Sequence, residues 1–127
     1  MHMSDSTLHL TVESTGALSA ARRELRELLV AEGCGNIDDA VLVFSELVTN
    51  ALMHGGGAPS VVVVHGDHEL NLDVEDRAAA APFVRQQLDA RHGGRGMHIV
   101  ERASERWGWE PTPTGKRVWA SIPCCPT

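Results

Sequence analysis

From Ile37 to His54 eleven of eighteen positions are apolar, and beyond the first turn the polar ones keep a helical spacing. Ile37, Val41, Phe44, Val48 and Leu52 recur every three or four residues, the pattern of an amphipathic helix facing a core. Glu46, Asn50 and His54 stand four apart on the other side. At about 100° per residue they fall within an arc of about 80°. Val43 and Met53 are apolar on that side too, so the polar stripe is expected to be half covered. A carboxylate in such a place costs free energy unless it meets partners, which a ligand or a metal ion would supply. Taken alone, the same spacing also fits a solvated face with an incidental side-chain hydrogen bond.

The remaining pattern alternates between periods of two and of 3.6. Thr7 to Ser14 places Leu8, Leu10 and Val12 on one side of a strand. Gly16 opens a helix with Leu18, Ala21, Leu25, Leu28 and Leu29 along one side. Arg22, Arg23, Glu24, Arg26 and Glu27 form its solvated remainder, and Gly33-Cys-Gly35 ends it. Asn36 is placed to cap the long apolar helix, with Asp38 and Asp39 in the first turn and Gly55-Gly-Gly57 as its stop. Ser60–His65 and Glu69–Glu75 predict two strands joined by a turn at Gly66-Asp67. The run Ala78 to Ala81, then Pro82, leads into a short helical stretch, Phe83 to Ala90. Arg91-His-Gly-Gly-Arg-Gly96 precedes an amphipathic helix from Met97 to about Ser104. Trp107–Glu110 and Lys116–Ile122 predict a closing hairpin around Pro111-Thr-Pro-Thr-Gly115. Segregated helices and mostly antiparallel strands indicate an α+β fold, a two-layer sandwich whose sheet is covered on one face by helices. One domain is expected over residues 7–123, with tails at 1–6 and 124–127 and a cloning scar at 1–3.

Composition narrows the function classes. A chain of 127 residues supports one core. Its net charge of -6 argues against direct nucleic-acid binding, although one local cluster of donors still suffices for a nucleotide. No apolar run approaches the roughly 18–20 residues of a membrane span, and Met1-His-Met-Ser-Asp is no secretory signal, so a cytoplasmic protein is expected. Cys34, Cys124 and Cys125 do not make a disulfide framework. His65 and His68 flank Gly66-Asp67, which reads as a hairpin turn in preference to a metal pair.

The element order is a helix with Glu-x-x-x-Asn, a hairpin ending in Asp, a glycine-rich loop, a helix and a closing hairpin. It resembles the GHKL ATP-binding superfamily, which has the Bergerat fold. Within it, Ser45-Glu-Leu-Val-Thr-Asn-Ala51 and Gly94-Arg-Gly-Met-His-Ile-Val100 look most like the single-domain anti-sigma factor serine/threonine kinases. The resemblance spans about residues 7–123.

It implies ATP and Mg2+ as cofactors. Glu46 then matches the catalytic base beside the γ-phosphate, and Asn50 supplies a hard carbonyl oxygen to magnesium. His54, one turn further on, either lines the pocket or serves packing and capping. Asp76, in Leu72-Asp-Val-Glu-Asp76, matches the acceptor of the adenine amine; without the flanking motifs it reads as a turn residue. Gly93, Gly94, Arg95, Gly96 and Met97 match the phosphate-facing loop and the start of its helix, where backbone amides converge on anions. Arg95 is suited to phosphate or to a partner protein. Two departures stand out: Asp76-Arg-Ala78-Ala-Ala80 replaces the expected glycines, and Gly115-Lys116-Arg117 replaces Gly-Thr-Thr. Lys116 thus adds a cation able to meet phosphate or solvent.

The resemblance implies a kinase that phosphorylates a small STAS-type anti-sigma antagonist and sequesters a sigma factor, with room for a homodimer. The alternative is a non-catalytic ATP- or ADP-binding switch or interaction module with little transfer activity, toward which the altered glycine box leans.

Overall fold

Alternation along the strands decides which face of the sheet is inside. The computed structural model describes residues 6–54, 56–66, 68–78 and 96–123. In chain order these form β1 (Ser6–Thr11), α1 (Thr15–Ala31), α2 (Ile37–His54), β2 (Ser60–Gly66), β3 (Glu69–Asp76), α3 (Gly96–Ala103), β4 (Arg106–Thr112) and β5 (Gly115–Pro123). The strands make one sheet in the order β1-β2-β3-β5-β4, antiparallel at every neighbouring pair. Val61 and Val63 of β2, Leu70, Leu72 and Val74 of β3, and Val118, Ala120 and Ile122 of β5 are all buried on one face. Asp76 and Lys116 continue the same alternation at the far end of β3 and the start of β5, so they too point inward.

The helices cover that face. α2 packs on β3 and β5, and α1 and α3 each pack on α2. Phe44, Leu25, Leu29, Leu70, Leu72 and Ile122 are the largest aliphatic and aromatic side chains sealed between the layers. Each contributes roughly 1.5–3 kcal/mol by leaving water. Val43 and Leu47 lie outside the stripe expected to face the core, yet both are buried. The explanation is α3, whose Met97 and Val100 are buried as it packs against α2. Among the described residues this is the expected two-layer α+β sandwich, a five-strand antiparallel sheet with three helices.

Several boundaries differ from expectation for physical reasons. Ser14 does not end a strand: its hydroxyl accepts from the Ala17 N–H at 3.3 Å, so it caps α1, and β1 stops at Thr11. The closing hairpin is longer than expected, with Pro111 inside β4 opposite Lys116. Proline lacks the N–H a ladder needs, and β4 tolerates it as an edge strand. The β2–β3 hairpin forms as expected, with His68 in the left-handed region at φ 68. His65 is buried, its Nδ1 3.2 Å from Glu32 Oε1.

The reading of the cysteines needs correction, because Cys34 is disulfide-bonded. Asn36 Nδ2 donates to the Pro123 carbonyl at 2.9 Å, which brings the end of β5 against the α1–α2 connection. That long-range proximity is invisible in cysteine spacing. Cys124 and Cys125 lie outside the described residues, as do the expected helical stretch Phe83 to Ala90 and the loop residues Gly93, Gly94 and Arg95. Among the described residues no helix is long and apolar enough to cross a membrane.

Candidate functional site

The inward-facing end of the sheet and the C-terminal half of α2 enclose a small cavity. Leu47, Asn50, Ala51, Asp76, Met97, Lys116 and Val118 line it, and its volume is about 10 Å³. Four residues singled out in the sequence thus converge from four elements: Asn50 on α2, Asp76 on β3, Met97 on α3 and Lys116 on β5. Glu46 lies one helical turn before Asn50, half-buried, and His54 ends the helix one turn later and is exposed. Gly96 is the first residue of α3. Among the described residues, wider depressions lie between α2 and α3 beside Leu42 and Ile99 and beside Asn36 at the start of α2. Among the described residues that line them, neither includes Glu46, Asn50, Asp76, Met97 or Lys116.

Asp76 is the centre of the arrangement. Its Oδ1 accepts from the Ala78 N–H at 2.9 Å, a side-chain turn that fixes the chain as it leaves β3. The same oxygen accepts from Lys116 Nζ at 3.0 Å. Oδ2 lies 2.9 Å from Nζ, an ion-pair contact, yet among the described residues no donor is aligned on it as a hydrogen bond. Both side chains are sealed, Asp76 at 1% exposure and Lys116 at 3%. Lys116 was expected at phosphate or in solvent; it is instead a buried partner of Asp76. The register explains this, since Asp76 and Lys116 are directly paired across β3 and β5.

Gly115 makes that register possible. A Cβ added there would lie 1.9 Å from the Asp76 carbonyl oxygen and 2.6 Å from Arg77 Cα. No side chain fits, so the close approach of the two strands beside Asp76 depends on this glycine. Its sequence signal was its place before Lys116, but only the pairing shows what it is for.

Glu46 is electrostatically distinct. Burial lifts its carboxyl above the ordinary glutamate value, because a charged group loses hydration beside the packed α2–α3 layer. Asn50 is half-buried at the cavity edge, one turn from Glu46. Among the described residues no group of three His, Cys, Asp or Glu could hold a metal ion. A magnesium ion keeps most of its ligands as water and phosphate, so a single amide oxygen such as that of Asn50 fits it. The buried Oδ2 of Asp76, without an aligned donor, fits an exocyclic amine of a base.

Comparisons with known proteins give the family and the fold. The family model described as a histidine kinase-like ATPase domain matches residues 11–122. An anti-sigma F factor from Clostridium acetobutylicum is 32% identical, over 51% of this chain and 54% of that protein. The chain therefore spans about half the length of that relative. The solved RsbU and RsbW domains of Rv1364c from Mycobacterium tuberculosis superpose with a TM-score of 0.72 at 22% identity, covering 94% of this chain and 32% of that one. That likeness is one of fold. The family model's match spans most of the chain, from the last residue of β1 to β5, and the chain belongs to the histidine kinase-like ATPase domain family.

Proposed function

We propose that this chain is an ATP-binding regulatory serine/threonine kinase of the anti-sigma type. The observation that carries the reading is the placing of Glu46. A carboxyl lifted by burial stands one turn before Asn50, which lines the same cavity as Asp76. In this reading Asp76 accepts from the adenine amine, and Asn50 would hold magnesium, which would neutralise charge on the phosphates. Glu46 takes the proton of an attacking serine hydroxyl as its oxygen bonds to the γ-phosphorus and the bond to the ADP oxygen breaks. A carboxylate with a raised pKa is the better proton acceptor for that step, provided it is ionised at working pH. The substrate would be a small STAS-type antagonist, and its phosphorylation state would decide whether a sigma factor is held. Likeness to the anti-sigma F factor supports these partners.

One observation favours a second reading, a nucleotide-binding switch with little transfer activity: Lys116 is sealed onto Asp76 where a base would bind. Labelled ATP, this protein and a candidate antagonist domain from the same genome separate the two, with phosphoserine as readout. The kinase reading expects transfer by the parent. It expects Glu46→Gln to keep ATP binding and lose transfer by roughly 10²–10⁴. Robust transfer by the Gln variant removes the base role; ATP binding with no transfer by the parent leaves the switch.

A further inference from the structure

We infer that Lys116 is an intramolecular competitor of the nucleotide base for Asp76, and so sets the affinity of the site. The inference rests on the nucleotide reading above and concerns regulation of the same pocket. Lys116 Nζ sits 3.0 Å from one carboxylate oxygen of Asp76 and 2.9 Å from the other, with both side chains nearly sealed from water. The cavity left beside them, about 10 Å³, holds at most one water and not a purine ring. A base therefore reaches Asp76 only when the ammonium moves away.

Leaving is costly, because it strands a buried carboxylate that has lost its counter-charge. The incoming base offers a neutral amine in exchange for a charge-assisted contact, so the exchange is not even. Nucleotide must select the minor state in which the lysine is out, and apparent affinity falls by the fraction of molecules in that state.

The residue type suits the role. Lys116 is the chain's only lysine beside ten arginines. An ammonium on a flexible four-carbon stem can swing, whereas a planar guanidinium locked bidentate on a carboxylate would not. Met97, Leu47 and Val118 line the pocket with apolar surface, which strengthens the pair while it is closed. Among the described lining residues, Asn50 is the other polar neighbour of the pair.

Uniqueness of the lysine gives a direct test on the unaltered protein. Its ε-amine is acetylated with an amine-specific reagent, with and without saturating ATP, and the rate at Lys116 is read by mass spectrometry. In parallel, calorimetry measures ATP binding to the parent and to Lys116→Met. The expected results are slow labelling without nucleotide, labelling about tenfold or more faster with ATP, and ATP binding about tenfold or more tighter in the Met variant. Labelling that ATP leaves unchanged or slows, or weaker binding by Lys116→Met, overturns the inference and makes the lysine a nucleotide ligand or a bystander. Absence of ATP binding in both proteins removes the nucleotide reading itself, and the inference with it. Binding by the Met variant alone supports the competitor in its strongest form. Should the Met variant fail to fold, the labelling rates in the parent still decide.

Discussion

Removing one partner of the Asp76–Lys116 pair is expected to cost far more than removing an exposed one. The contrast is with Arg26–Asp38, also 3.0 Å apart, whose side chains are 48% and 90% exposed. A pair so exposed is worth about 0–1 kcal/mol, whereas stranding a buried charge costs about 3–5 kcal/mol. Asp76→Asn should therefore lower unfolding free energy by about 3–5 kcal/mol in a urea titration, and Asp38→Asn by less than about 1 kcal/mol. Equal, small losses would show that the carboxylate is not held by a buried charge. The same Asp76→Asn variant should bind ATP about tenfold or more weakly, since an acceptor for the amine becomes partly a donor. Sequence marked both residues, one as an adenine acceptor and the other as a stray cation. It could not show that they meet, because forty positions separate them.

Among the elements, β5 decides the site. It is last in sequence but lies between β3 and β4, so its first residues stand beside the end of β3. Its opening glycine has the least room for a Cβ of the described glycines. Gly115→Ala would force a Cβ to within 1.9 Å of the Asp76 carbonyl oxygen, and backbone cannot yield as a flexible side chain would. We expect a stability loss of about 1–3 kcal/mol or more, with a parallel loss of ATP affinity as Asp76 shifts. Gly108→Ala is the control. Its Cβ would meet the Trp119 ring at 2.8 Å, a side chain on the face of the sheet opposite the helices. Stability there should fall with ATP affinity unchanged. Similar ATP affinities for parent and Gly115→Ala would separate the strand crossing from the site. Helix α2 was the most legible element, because a core-facing stripe and a polar stripe at period 3.6 are written along it. The burial of Val43 and Leu47 was not legible, since it depends on α3 arriving from residues 96–103.

For the whole molecule, the raised pKa of Glu46 makes stability depend on pH in a defined direction. A carboxyl whose folded pKa exceeds its unfolded value binds its proton more tightly in the folded state. Its stabilising contribution is complete below the unfolded glutamate pKa and is lost as pH rises through the folded value. Glu46→Gln removes this component while keeping shape. The difference in unfolding free energy between variant and parent should therefore grow in the variant's favour from acid pH to just above the folded pKa, then level off. A constant difference across that window would mean that Glu46 is hydrated as in the unfolded chain. The stability gain and the loss of phosphoryl transfer would then come from one substitution, the usual sign of a group kept for function at a cost to the fold.

Element types, both hairpins, the helical face carrying Glu46 and Asn50, and the family likeness are all legible in the chain. All of these follow from periods of two and 3.6 and from motifs a few residues long. Tertiary structure alone decided the strand order, the disulfide of Cys34, the covering of the polar side of α2 by α3, and the closing of Lys116 onto Asp76. Each joins residues far apart in the chain. Their proximity is set by pairing register and by the burial of apolar area, which is optimised over the whole chain. Local pattern records which face of an element is inside, not which other element it will meet there.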